Sequence, residues 1–92
     1  MNLKFYFVYI LYSLKDKKLY KGYTARTTEK RFIEHIQRKN ISTSKRGALI
    51  LIYYEAHLSE VDAKRREKYF KTTKGTAMLK YMLRNTINEI SV

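Results

Sequence analysis

Cysteine is absent from this chain of 92 residues, and so is proline. Without cysteine, neither a disulfide nor a thiolate zinc site can stabilise a small domain. Without proline there is no Pro-rich linker. No apolar run approaches the roughly 20 residues of a membrane span. The opening Met1-Asn2-Leu3-Lys4 is too brief a lead-in, and residues 5–12 too rich in tyrosine, for a secretory signal peptide. Acidic residues are scarce: eight Asp and Glu stand against 20 Lys and Arg, a formal net charge of +12. What remains is a cytoplasmic protein with one domain over residues 1–92, where 88–92 is open to being a flexible tail. A domain of this size buries only a modest share of its surface.

The excess of cation favours polyanions, of which nucleic acid is the commonest. A ribosome-like or simply basic protein without chemistry is the bland alternative. An anionic membrane surface is a weaker one, because no segment sets a bulky apolar face against a purely basic one. No zinc finger, helix-turn-helix, internal repeat or low-complexity segment is present.

Hydrophobic patterning alternates between strand and helix. Residues 5–12 are almost wholly apolar and aromatic, with β-branched Val8 and Ile10, and read as a buried strand. Lys15-Asp16-Lys17-Lys18 is a polar turn, and residues 19–23 resume the strand pattern, which suggests an antiparallel hairpin. Thr27 is placed to cap a helix over about 28–39, with Glu29 in its first turn and Phe32, Ile33 and Ile36 as its stripe. Residues 41–47 read as a basic loop. Residues 48–56 hold a third strand, buried on both faces or central. Ser59 and Asp62 resemble a capping box that opens a helix over 60–73. Gly75 reads as its stop, and a last helix covers 76–87. The expected fold is α/β (α+β): a three-stranded, mostly antiparallel sheet flanked by helices, in the order β-β-α-β-α-α.

Several residues carry chemistry, and each also has an ordinary reading. Strand alternation puts Tyr9 on the face of Phe7 and Leu11, opposite Val8 and Ile10. Alone it reads as a packing tyrosine, and Tyr20 shares the ambiguity. Gly22 marks either a bulge or a close backbone approach. Arg31 and His35, at i and i+4, project together beside the Phe32/Ile36 stripe, where a solvated flank is the simple account. Glu67 and Lys71 form an i,i+4 pair worth about 0.2–0.5 kcal/mol. His57 has no partner at recognisable spacing and reads as a surface residue.

Taken in order, these pieces resemble the GIY-YIG endonuclease superfamily. Tyr9 and Tyr20-Lys21-Gly22 look like the two halves of its signature. Residues 31–35, Arg-Phe-Ile-Glu-His, are similar to its helix, and 63–71, around Glu67, to the segment with its metal-binding glutamate. The small stand-alone bacterial branch, related to the nuclease domain of the UvrC repair subunit, is the nearest likeness, over about 5–83. The first triplet is Phe7-Val8-Tyr9, without the glycine and isoleucine, and Lys21 replaces isoleucine in the second. Both tyrosines and Gly22 are kept.

The resemblance implies metal-dependent hydrolysis of phosphodiester bonds in DNA, structure-directed or non-specific, and a link to DNA repair. Tyr9, Tyr20, Arg31, His35 and Glu67 would be catalytic, with Glu67 holding one Mg²⁺ or Mn²⁺. Lys39, Lys45, Arg46, Lys64, Arg65, Lys68, Lys71 and Lys74 would contact backbone phosphates. A partner protein is one route to targeting, and no membrane is involved. The competing reading is a catalytically inactive nucleic-acid-binding domain on the same fold, which the altered first triplet favours.

Overall fold

Strand β1 (Lys4–Ser13) organises the molecule because both of its faces are apolar. In the computed structural model, residues 3–42 and 49–91 are described, without the side chains of 39–42. β1 pairs antiparallel with β2 (Leu19–Tyr23) on one side and β4 (Leu49–His57) on the other, and its opening pairs with the two-residue β3 (Thr27–Thr28). Phe7, Tyr9 and Leu11 point to one face and pack with Phe32, Ile36 and Leu49. Val8 and Ile10 point to the other and pack with Ala63, Phe70, Leu79 and Leu83. The period-2 alternation of one strand thus builds two cores. Burying each large apolar side chain contributes about 1.5–3 kcal/mol.

The helices divide between those faces. α1 (Glu29–Ser42) supplies Phe32 and Ile36 to the first core. α2 (Glu60–Phe70) and α3 (Thr73–Met82) cover the second, and Ile87 of α4 (Arg84–Ile90) packs at its margin. Between Ile10 and Leu11 the β1–β4 register slips by one residue. The slip lets adjacent Ile52 and Tyr53 both pack on the α2 face, as a β-bulge does. No helix among the described residues is long and apolar enough to cross a membrane.

The α+β class and the antiparallel sheet stand, but the sheet has four strands rather than three, because the short β3 comes between β2 and α1, and several details differ. β1, not the third long strand, is central: β4 pairs only with β1 among the described residues. Ala48, its expected start, lies outside the described residues. Thr27 is taken up by its bridge to Phe5, and Thr28 does the capping, its Oγ1 accepting from the Arg31 N–H at 3.3 Å. α1 runs three residues past its expected end at 39. Ser59 caps α2 as its sequence suggests, its Oγ accepting from the Asp62 N–H.

Gly75 is no helix stop. It lies in the first turn of α3, buried, and its N–H is capped by Thr72 Oγ1 at 3.0 Å. A Cβ there would stand 1.9 Å from the Tyr69 carbonyl oxygen. Glycine is needed because α3 starts against the end of α2. The last helix is divided at Leu83, whose side chain is buried in the second core.

Candidate active site

The two signature halves meet side by side in the sheet. Tyr9 is paired with Gly22 across the β1–β2 ladder. The Tyr9 ring lies over the glycine: a Cβ at 22 would fall 2.2 Å from Tyr9 Cζ and 2.4 Å from its hydroxyl oxygen. That settles the role of Gly22 as close approach rather than a bulge. Tyr9 is 5% exposed and also packs against Phe32 of α1, ring centroids 5.6 Å apart. Tyr20, two residues before Gly22, shares this face by strand alternation and packs at its margin. Its hydroxyl donates to Asp16 Oδ2 at 2.9 Å in the hairpin turn. That hydrogen bond is the chief reason the Asp16 carboxyl sits below its ordinary range.

Arg31 and His35 flank Phe32 on α1, and both are exposed. Arg31 helps to line a cavity of about 480 Å³ with Lys4, Arg26, Thr27, Thr28, Lys30 and Glu34. Glu67 comes from the other layer, since α2 covers the Val8/Ile10 face. Its carboxylate pairs with Lys71 at 3.5 Å. It also acts on Tyr23, which is pushed up to about 12, first by burial, then by the Glu60 carboxylate that its hydroxyl donates to, with the Glu67 charge adding to the effect. The two groups of candidates therefore share the β2 edge. Gly22 faces Tyr9, and its neighbour Tyr23 lies within the field of Glu67.

Among the described residues no cluster of three or more His, Cys, Asp or Glu side chains could cage a metal ion. A lone carboxylate suits neither zinc nor calcium, which take several protein ligands. It does suit Mg²⁺, which keeps several waters. The Lys71 pair is an i,i+4 contact between an exposed lysine and a partly buried glutamate, worth about 0.2–0.5 kcal/mol and too weak to exclude a divalent cation. The chemistry of Glu67 is compatible with a largely hydrated divalent cation.

The basic candidates are spread unevenly. Lys64, Arg65, Lys68, Lys71 and Lys74 are exposed along α2 and the start of α3. Three of them already face carboxylates: Lys64 with Glu60, Arg65 with Asp62 and Lys71 with Glu67. Lys45 and Arg46 lie outside the described residues, as does the side chain of Lys39.

Two features escaped the sequence reading. His57 is not a lone surface residue: its Nε2 is 2.8 Å from Glu55 Oε2. Glu55 also accepts from the Tyr53 hydroxyl at 2.7 Å and from Arg66 Nε at 3.0 Å. This network ties β4 to α2 one residue from Glu67, and a carboxylate inside an apolar strand was its visible signal. The other is Lys21, whose Nζ donates to Thr76 Oγ1 at 3.0 Å on the α2–α3 side. Burial, then Lys80 and Lys71, push the Lys21 amine down.

The model of the GIY-YIG catalytic domain matches residues 5–89, and the chain belongs to that family. No curated protein and no solved structure matched the chain. Membership places it among nucleases that act on nucleic acids, usually as endonucleases that need a divalent metal.

Proposed function

We propose that this chain is a Mg²⁺-dependent endonuclease that hydrolyses phosphodiester bonds in DNA, directed by the substrate's structure or non-specific. The observation that carries the proposal is the fit of Tyr9 over Gly22, which joins the two halves of the signature in one place. Its basic surface suits phosphate contacts that carry no base information. Targeting to particular structures would then fall to DNA shape or to a partner protein.

The division of labour follows from the side chains. Arg31 binds the scissile phosphate through its planar fork. Tyr9 orients the attacking water and takes its proton, and Tyr20, held by Asp16, positions water or phosphate. His35, one turn from Arg31, assists proton transfer. Glu67 would hold one Mg²⁺, or Mn²⁺ in its place, which when bound supplies charge stabilisation at the reacting phosphate.

A second reading, an inactive nucleic-acid-binding domain, is favoured by one observation: Glu67 stands on the opposite sheet face from Tyr9. Nicking of supercoiled plasmid in Mg²⁺ and in EDTA decides between them. Glu67→Ala should abolish cleavage with binding nearly intact. Tyr9→Phe should slow it by about 10²–10⁴-fold, the usual worth of acid–base catalysis. Arg31→Lys should also fail, because lysine lacks the fork. Wild-type rates in both Glu67→Ala and Tyr9→Phe would remove the assignment from this site. A wild type that binds and never cleaves selects the second reading.

A further inference from the structure

We infer that the cavity between β3 and the first turns of α1 is a second phosphate site. It holds the bound strand at a phosphodiester near the one gripped by Arg31. The inference rests on the nucleic-acid reading above and adds to it the place where the strand runs.

Three separate parts of the chain bring cations to this cavity: Lys4 from the start of β1, Arg26 from the β2–β3 connection, and Lys30 and Arg31 from α1. One carboxylate, Glu34, faces those four cations. Among the described residues none of the four takes part in an ion pair, whereas Lys64, Arg65 and Lys71 on the second helix all do. The cavity lining therefore carries a net positive charge, which a phosphodiester would neutralise.

The site is also built before any ligand arrives. Lys4 pairs with Thr28, and Phe5 with Thr27, so the β-bridge fixes the floor. Thr28 Oγ1 accepts from the Arg31 N–H, which leaves its hydroxyl proton to donate elsewhere. The cavity of about 480 Å³ is roomy beside the ~30 Å³ share of one water, so a phosphate fits with its hydration. Because Arg31 lines it, a strand that places one phosphate on Arg31 has its neighbour within reach of Lys4, Arg26 or Lys30.

The test is binding of a short labelled duplex DNA in EDTA, read by fluorescence anisotropy across salt concentrations. The probe protein carries Lys4→Gln, Arg26→Gln and Lys30→Gln together and leaves Arg31 intact. Its charge-matched control carries Lys15→Gln, Lys17→Gln and Lys18→Gln in the hairpin turn. Each lost duplex phosphate contact lowers the logarithmic salt slope by about 0.9, so two lost contacts cost about 30-fold in affinity near 0.15 M salt. The cavity variant should show that loss, the control only a few-fold change, and Lys4→Arg with Lys30→Arg near wild-type affinity. In Mg²⁺ the cavity variant should raise KM and spare kcat. Equal losses in the cavity variant and its control would overturn the site while leaving the nuclease reading standing. Selective displacement of the duplex by inorganic phosphate, beyond chloride at equal ionic strength, would overturn the strand as occupant. A wild type that binds no duplex would sink both readings.

Discussion

Replacing Gly22 with alanine should destabilise the protein, although alanine ordinarily stabilises a strand relative to glycine. Where space is open that exchange gains about 0.5–1 kcal/mol. At position 22 the new Cβ would stand 2.2 Å from Tyr9 Cζ, so the ring must move. Its escape is limited, because Tyr9 is 5% exposed, touches Phe32, and is paired with Tyr54 on the β4 side. Overpacking of this kind costs roughly 1–3 kcal/mol. The collision therefore outweighs the backbone gain, and the net loss is on the order of 0.5–2 kcal/mol. For a domain of this size each 1 kcal/mol moves Tm by about 4–8 °C.

Urea unfolding followed by far-UV circular dichroism measures the loss, as a lower midpoint at unchanged m. Tyr9→Leu removes the colliding ring, and in that background Gly22→Ala should become neutral or stabilising. The double-mutant cycle then isolates the contact. Cleavage should also fall in Gly22→Ala, because the displaced ring carries the Tyr9 hydroxyl with it. A raised midpoint in Gly22→Ala alone, or a cycle with no coupling, would refute the packing argument.

Glu55 gives a pH signature. Burial works against its charge, but hydrogen bonds from Arg66, Tyr53 and His57 outweigh it and hold the carboxyl below its usual range. A carboxylate with a depressed folded pKa contributes its stability above the unfolded value of about 4.3, and loses it as pH falls through the folded value. Tm should therefore drop as pH falls below about 5, and less steeply in Glu55→Gln; identical slopes would count against the network. Lys17 sits at φ 59°, in the left-handed region. Lys17→Gly removes a cost of about 1–2 kcal/mol, offset by about 0.5–1 for glycine's extra freedom, so Tm should rise by several degrees. A lower Tm would show that the turn is not strained there.

Contacts between neighbours in sequence were legible, and contacts through space were not. The alternation of Phe7, Tyr9 and Leu11 against Val8 and Ile10 announced two faces, and both are buried as that pattern implies. Ser59 announced its helix because a cap acts within three residues. Gly75 misled because its constraint is the Tyr69 carbonyl, on a helix that ends at Phe70 rather than at the expected 73. The basic run on α2 drew attention because it is contiguous. Contiguity on a helix also supplies Glu60, Asp62 and Glu67 at partner spacing, which neutralise part of it. Lys4, Arg26 and Lys30 look scattered in sequence, and only the β3 bridge gathers them.

Three letters of the signature are altered. Val8, in place of isoleucine, stays buried and apolar in the second core, and the other two are weighed by where their side chains go. Phe7 stands where the family signature has glycine. Its ring stacks on Phe32, centroids 4.5 Å apart and nearly parallel. Such a pair adds about 0.5–1.5 kcal/mol beyond burial, and it fastens α1 to the sheet beside the turn that carries Arg31 and His35. Lys21 pairs with Ile10, so it points to the α2 face and reaches Thr76 instead of the tyrosines. Tyr20 and Gly22 on either side of it keep the opposite face. The Lys21 exchange therefore leaves the Tyr9 side untouched, and the Phe7 exchange acts on it only through the seating of α1. Altered spelling at these positions is weak grounds for inactivity. The stronger ground is the separation of Glu67 from Tyr9 across the sheet, and it is there that Glu67→Ala and Tyr9→Phe put the question.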